Sequence, residues 1–154
     1  MAKINVGRVL LGGIVAGIVS DALGYLVDGR LLAPNWSDAM LALGRSDLGL
    51  SQFLYFDAFG IVGGIVMIWI YAAILPRFGP GAFTAIYAAL SVWIVGVLIP
   101  NLSFMWVADL FPNRLTAFTT AGGLIELLVG GIVGAILYKD PPPIYKDPPA
   151  SPVA

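Results

Sequence analysis

The stretch from Leu115 to Leu137, LTAFTTAGGLIELLVGGIVGAIL, constrains this chain more than any other. It carries one charge, Glu126, near its midpoint. A helix of that length rises roughly 34 Å, enough to cross a bilayer core of about 30 Å. A carboxylate at mid-membrane costs on the order of 3 kcal/mol. The Leu, Ile, Val and Phe residues of the stretch return about 0.3–0.6 kcal/mol each, so the helix still inserts. Gly122, Glu126, Gly130 and Gly134 lie four apart on one stripe. Small residues on a membrane helix let another backbone approach closely, so the stripe that holds the acid is expected to face protein.

Three further apolar runs have the same character. The first spans about Val6–Val27, with Gly13, Gly17 and Asp21 four apart and Gly24 and Asp28 close to the same face. Its basic start also fits a signal peptide, but the run is too long and no small-residue cleavage site follows it. The second spans about Phe53–Leu75; Asp57 sits one turn inside it, Gly60 and Gly64 continue along its side, and Pro76 is expected to stop it. The third spans about Gly81–Ile99, carries a small stripe of Gly81, Ala85 and Ala89, and is expected to end or kink at Pro100 and Asn101. The chain is 59% hydrophobic and 11% charged, against about 25% charged in soluble domains. The fold class is therefore an all-α membrane protein with four transmembrane helices, about 6–27, 53–75, 81–99 and 115–137. Two interfacial segments and a proline-rich C-terminal tail complete it.

The first interfacial segment is a short helix, Trp36–Leu43, ended by Gly44, with Trp36 at headgroup level. The second is Leu102–Phe111, with Trp106 and Phe111, on the same side of the membrane. Residues 1–138 form the transmembrane domain and 139–154 the tail. The tail overlaps a repeat, YKDPP at Tyr138–Pro142 and again at Tyr145–Pro149. Proline at this density gives extended polyproline II structure. Tyr138, Pro141, Pro142, Tyr145 and Pro148 are candidate contacts of a strap that lies on a partner; a solvated disordered end is the competing reading.

The opening INVGRVLLGG, the stretch LLAPNWSDAMLALG after the first helix, and the four-span layout resemble small bacterial inner-membrane proteins of uncharacterised families. The resemblance implies a bacterial cytoplasmic membrane and the four-span architecture, and carries no site residues with it. The basic residues agree with that placement. Lys3, Arg8, Arg77, Lys139 and Lys146 fall on one side and Arg30, Arg45 and Arg114 on the other, which favours both termini in the cytoplasm.

Net charge is −1, so no basic surface argues for nucleic acid. The chain has no Cys and no His, which removes disulfides, thiolate metal sites, iron–sulfur ligation and the usual general base. No phosphate loop, zincin motif, nucleophile elbow or dinucleotide fingerprint is present. No metal site and no cofactor of its own is expected; bound lipids, or contacts to a neighbouring subunit's cofactor, fit the composition.

The candidate site residues are the intramembrane carboxylates Asp21, Asp57 and Glu126. Such acids are either protonated, because desolvation disfavours the charged form, or paired with a base. The ends of spans one, two and four that lie on one membrane face place Asp21 about 9 Å and Asp57 about 6 Å from that face by helix rise. Arg30 and Arg114 lie on the same face and are the candidate ion-pair partners. Gly13, Gly17, Gly60, Gly64, Gly122, Gly130 and Gly134 read as helix-packing positions.

Two function classes emerge. One is a non-catalytic accessory subunit of a larger membrane complex, respiratory or photosynthetic in kind, whose partners are other membrane proteins and the bilayer. The other is a small proton-coupled transporter or channel with Glu126 as carrier and Asp21 or Asp57 as entry site. A membrane enzyme built on paired carboxylates would have to work without His or Cys.

Overall fold

The computed structural model describes residues 4–46 and 49–138. The tail from 139 to 154, with the strap contacts Pro141, Pro142, Tyr145 and Pro148, lies outside the described residues. The fold is all-helical, and four helices are long and apolar enough to cross a membrane.

Helix α1 runs Val6–Leu26 and continues through a π-helical turn, Val27–Leu31; α2 is Ala33–Ala42 and α3 is Leu50–Phe78. Helix α4, Ala82–Trp93, continues through a second π-helical turn, Ile94–Leu98, into α5, Ile99–Trp106; α6 is Asn113–Leu137. The transmembrane helices pack in chain order around a ring. Helix α1 touches α3 and α6, α4 touches α3 and α6, and α3 and α6 meet across the middle.

The spans differ from the expected ones at both prolines. Pro76 lies inside α3, which continues to Phe78 and ends at Gly79. A proline in the last turn removes one donor, and Gly79 N–H restores closure by donating to the Leu75 carbonyl at 2.8 Å. The chain then reverses through Gly79, φ 76°, a backbone conformation that glycine adopts without a Cβ penalty. Pro100 likewise does not end the third span. The π-helical turn finishes with Ile99 N–H donating to the Ile94 carbonyl, so the missing donor of Pro100 falls at the junction of the two hydrogen-bond registers. Leu102–Trp106 is therefore the last part of a 25-residue span, not an interfacial segment. The first span also reaches further than expected, to Leu31.

Helix formation here is apolar length, but close packing is side-chain size. On α1 two adjacent faces of small residues point at two different helices. Gly13 and Gly17 meet α3 at Gly60, Ile61, Gly64 and Ile65, so closely that a Cβ at either glycine would overlap the α3 backbone. Gly12, Ala16 and Ser20 meet α6 at Gly130 and Gly134; a Cβ on Gly12 would lie 2.6 Å from the Gly134 carbonyl oxygen. Gly131, on the other side of α6, faces Met67 and Ala89.

The main cluster of buried apolar side chains lies in one half of the bundle, while Ala39, Leu115 and Thr116 are buried toward the other end. The core is Val9 and Ala16 from α1, Met67, Ile68, Tyr71, Ala72 and Leu75 from α3, Ala85, Ala88 and Ala89 from α4, and Ala135 with Tyr138 after α6. All lie toward the end where Asn5 N–H donates to the Tyr138 hydroxyl at 3.4 Å and Gly81 N–H donates to the Tyr71 hydroxyl at 3.4 Å. Tyr71 and Tyr138 meet edge to face there, ring centroids 5.9 Å apart. We call this the closed half. In the opposite, open half, every residue of α3 from Leu50 to Phe59 is exposed, as are Val95, Ile99, Phe104 and Trp106 on the third span.

Candidate intramembrane acid site

The acids gather where the closed half gives way to the open one. Ser20 Oγ donates to the Glu126 backbone carbonyl at 3.1 Å, which sets α1 and α6 in register and puts Ser20, Asp21 and Glu126 at one level. Because the first span continues to Leu31, Asp21 lies about 15 Å from its end, deeper than the 9 Å expected from a span ending at Val27.

Each deep acid rests against a glycine of a neighbouring helix. The Asp21 carboxylate occupies the space a side chain at Gly60 would take. The Glu126 carboxylate lies against Gly24 of α1, where an added Cβ would come within 3.2 Å of Oε2. It also lies beside Gly122 of its own helix, together with Val27 from the π-helical turn. Gly60 and Gly122 therefore make room for carboxylates as well as for helices. Gly13, Gly17, Gly64, Gly130 and Gly134 serve helix packing.

Glu126 Oε1 is buried and has no hydrogen-bond partner among the described residues. Charged neighbours that act on it are Asp28 and Asp21, and the one that acts on Asp21 is Asp57. Each of these neighbours is a like charge, and among the described residues no base lies beside Glu126 or Asp21 to offset them. Among the described residues no three acids come close enough to hold a metal ion. Asp28 is held by Trp36, whose Nε1 donates to Oδ1 at 3.1 Å. Asp57 stands on the exposed first turns of α3.

Arg30 and Arg114 do not pair with these acids. The Arg30 guanidinium lies over the Tyr25 ring, 5.5 Å from its centroid, and Arg114 lies over Phe118 at 5.6 Å. Each ring is four or five residues away on the same helical span, so a local cation–π contact forms without bringing the charge into the bundle. Trp36 and Phe111 do come together, edge to face at 5.3 Å, and Phe111 meets Phe104 at 6.3 Å. Trp106 stands apart, 72% exposed.

A second polar cluster, absent from the sequence-based candidates, occupies the α4–α6 side. Trp93 Nε1 donates to the Thr120 carbonyl at 3.0 Å, and Asn101 Nδ2 donates to Thr120 Oγ1 at 2.8 Å. Thr120 Oγ1 in turn donates to the Thr116 carbonyl at 2.6 Å. The middle of α6 is thus flanked by both π-helical turns: Val27 and Asp28 on the acid side, and Val97, packed on Gly123, on the other. Asp28, Gly24, Ser20, Trp93, Asn101 and Thr120 are the residues that sequence reasoning left out of the site. For Gly24 and Asp28 a signal existed, since both continue the α1 stripe of Gly13, Gly17 and Asp21.

No family model, curated protein or solved structure matches this chain.

Proposed function

We propose that this protein is a small non-catalytic subunit of a larger assembly in a bacterial cytoplasmic membrane. The observation that carries the reading is the first ten residues of α3. They are apolar and aromatic, with Phe53, Leu54, Tyr55, Phe56 and Phe59 exposed, and they include an exposed carboxylate, Asp57. Carboxylates within membrane-spanning helices face protein or water rather than acyl chains. A neighbouring membrane protein that offers a hydrogen-bond donor or a base to Asp57 would cover this end of α3. In the sequence, Lys3, Arg8, Arg77, Lys139 and Lys146 stand against Arg30, Arg45 and Arg114 in the alternating segments, which supports a cytoplasmic location for both termini.

The test is purification of the full chain from its native membrane in gentle detergent, with identification of what accompanies it. Asp57→Asn, which keeps hydrogen-bonding ability, should retain the partner, and Asp57→Leu should lose it while the spans stay inserted. Equal recovery with both substitutions, or a wild-type chain that purifies alone, would overturn the reading.

Glu126 favours a second reading, a proton-coupled transporter. Its buried, unpartnered Oε1 sits among carboxylates with no base opposite, as a proton-carrying acid would. Glu126→Gln removes the titratable proton and keeps the shape. Proton or solute flux in vesicles that Gln abolishes without loss of assembly would favour transport. A Gln variant that assembles normally and a Leu variant that does not, with no flux in the wild type, would favour the subunit.

A further inference from the structure

We propose that the notch between the α1–α2 elbow and the start of α6 binds the phosphate of a membrane phospholipid, with an acyl chain against its apolar wall. The notch has a volume of about 240 Å³ and is lined by Leu32, Asn35, Arg114, Leu115 and Phe118. Its composition is divided as a lipid is divided. Arg114 and Asn35 supply a cation and an amide, and Leu32, Leu115 and Phe118 supply hydrocarbon.

Its depth fits the same ligand. The notch opens where α1 ends and α6 begins, beside Trp36 and Phe111, aromatic residues of the kind that mark headgroup level. Arg114 is exposed, and among the described residues its contact is the Phe118 ring rather than a carboxylate, so its five donors stay available to an anion. The backbone adds to this potential. Helix α6 starts at Pro112 with no side-chain cap, and its first intrahelical bond runs from Thr116 N–H to the Pro112 carbonyl. The N–H groups of Asn113, Arg114 and Leu115 are left without intrahelical acceptors. The positive end of α6, the Arg114 guanidinium and the Asn35 amide thus meet at one notch that also carries Leu32 and Phe118, which suits a phosphate diester on a hydrocarbon anchor. The site is separate from the acid cluster and does not depend on which function that cluster serves.

Native mass spectrometry of the purified full chain tests the proposal, with phosphatidylglycerol, diacylglycerol of the same chain length and inorganic phosphate as probes. The wild type should retain one phosphatidylglycerol at least fivefold better than diacylglycerol, and a large excess of inorganic phosphate should not displace it. Arg114→Gln should lower retention about tenfold, Arg114→Lys should keep part of it, and Arg77→Gln, at the closed half, should change nothing. Circular dichroism on each variant separates lost binding from lost fold, and the Lys variant keeps the test usable if Gln unfolds the chain. Displacement by inorganic phosphate at comparable concentration would assign the notch to a soluble anion and overturn the lipid assignment. Equal retention of phosphatidylglycerol by wild type and Arg114→Gln, or no preference over diacylglycerol, would overturn the site.

Discussion

The two halves of this bundle are built from the same four helices and the same kind of apolar sequence, yet they pack in opposite ways. In the closed half, α1 presents small residues on two adjacent faces, and α3 and α6 answer with glycines of their own. Backbones then approach until Met67, Ile68, Ala16, Ala88 and Ala89 are sealed from the surroundings. In the open half the residues at comparable positions are Phe53, Phe56 and Phe59 on α3, and Val95, Ile99 and Phe104 on the third span. These side chains are exposed and seal no contact between helices. Lipid is as apolar as these side chains, so burying them against each other gains little, and close packing alone decides which contacts form. The polar residues follow the same division. Those that meet protein, Ser20, Asn101, Thr120 and Trp93, are hydrogen-bonded, whereas Glu126 Oε1 is buried against α1 without a hydrogen-bond partner among the described residues and Asp57 is exposed.

The difference can be attacked most directly at adjacent glycines of α3. Gly64→Leu would drive a side chain into the Gly13 and Gly17 backbones, and should cost upwards of about 3 kcal/mol, enough to prevent the α1–α3 contact. Thermal unfolding in detergent, followed by circular dichroism, should show loss of the cooperative transition. A variant that melts like the wild type would mean that the closed half is not held by this contact.

A second comparison removes bulk from each half. Met67→Ala should cost about 2–5 kcal/mol because the residue is fully buried. Phe56→Ala, at a residue 63% exposed, should cost under about 0.5 kcal/mol in the isolated protein. Similar losses at the two sites, read from denaturant midpoints, would erase the distinction between halves. A large loss at Phe56 that appears only in native membranes would instead locate the partner.

Smaller effects sharpen the boundary between the halves. Asn101→Leu removes the donor to Thr120 and should cost about 0.6–2 kcal/mol, the usual range for polar contacts between membrane helices. An unchanged midpoint would show that the third span is not tied to α6 there. The smallest change has the opposite sign. Gly63 has open space at its missing Cβ, so Gly63→Ala should stabilise α3 by about 0.5–1 kcal/mol. Destabilisation at Gly63, measured in the same melts as Gly64→Leu, would mean that a neighbour covers that face.

The sequence by itself determined the class, the number of spans and the small-residue faces. These follow from local quantities: the length of each apolar run against the bilayer, and a four-residue spacing that any α-helix turns into a stripe. The stripe Gly122, Glu126, Gly130, Gly134 faces α1 as its glycines require. The tertiary structure alone decided where the spans end and what the acids meet. Pro76 and Pro100 both look like stops, but one falls in a last turn and the other at a π-helical junction, where a missing N–H does not break the helix. Asp21 looked close to the membrane surface until the π-helical turn lengthened its helix and Ser20 set it level with Glu126. Arg30 and Arg114 looked like partners for the acids, but nearby rings on their own spans engage them. Spacing along a chain specifies which side chains share a face. Which carboxylate settles against which glycine depends on the relative register of two helices, and that is set by packing between segments as far apart in sequence as Ser20 and Glu126.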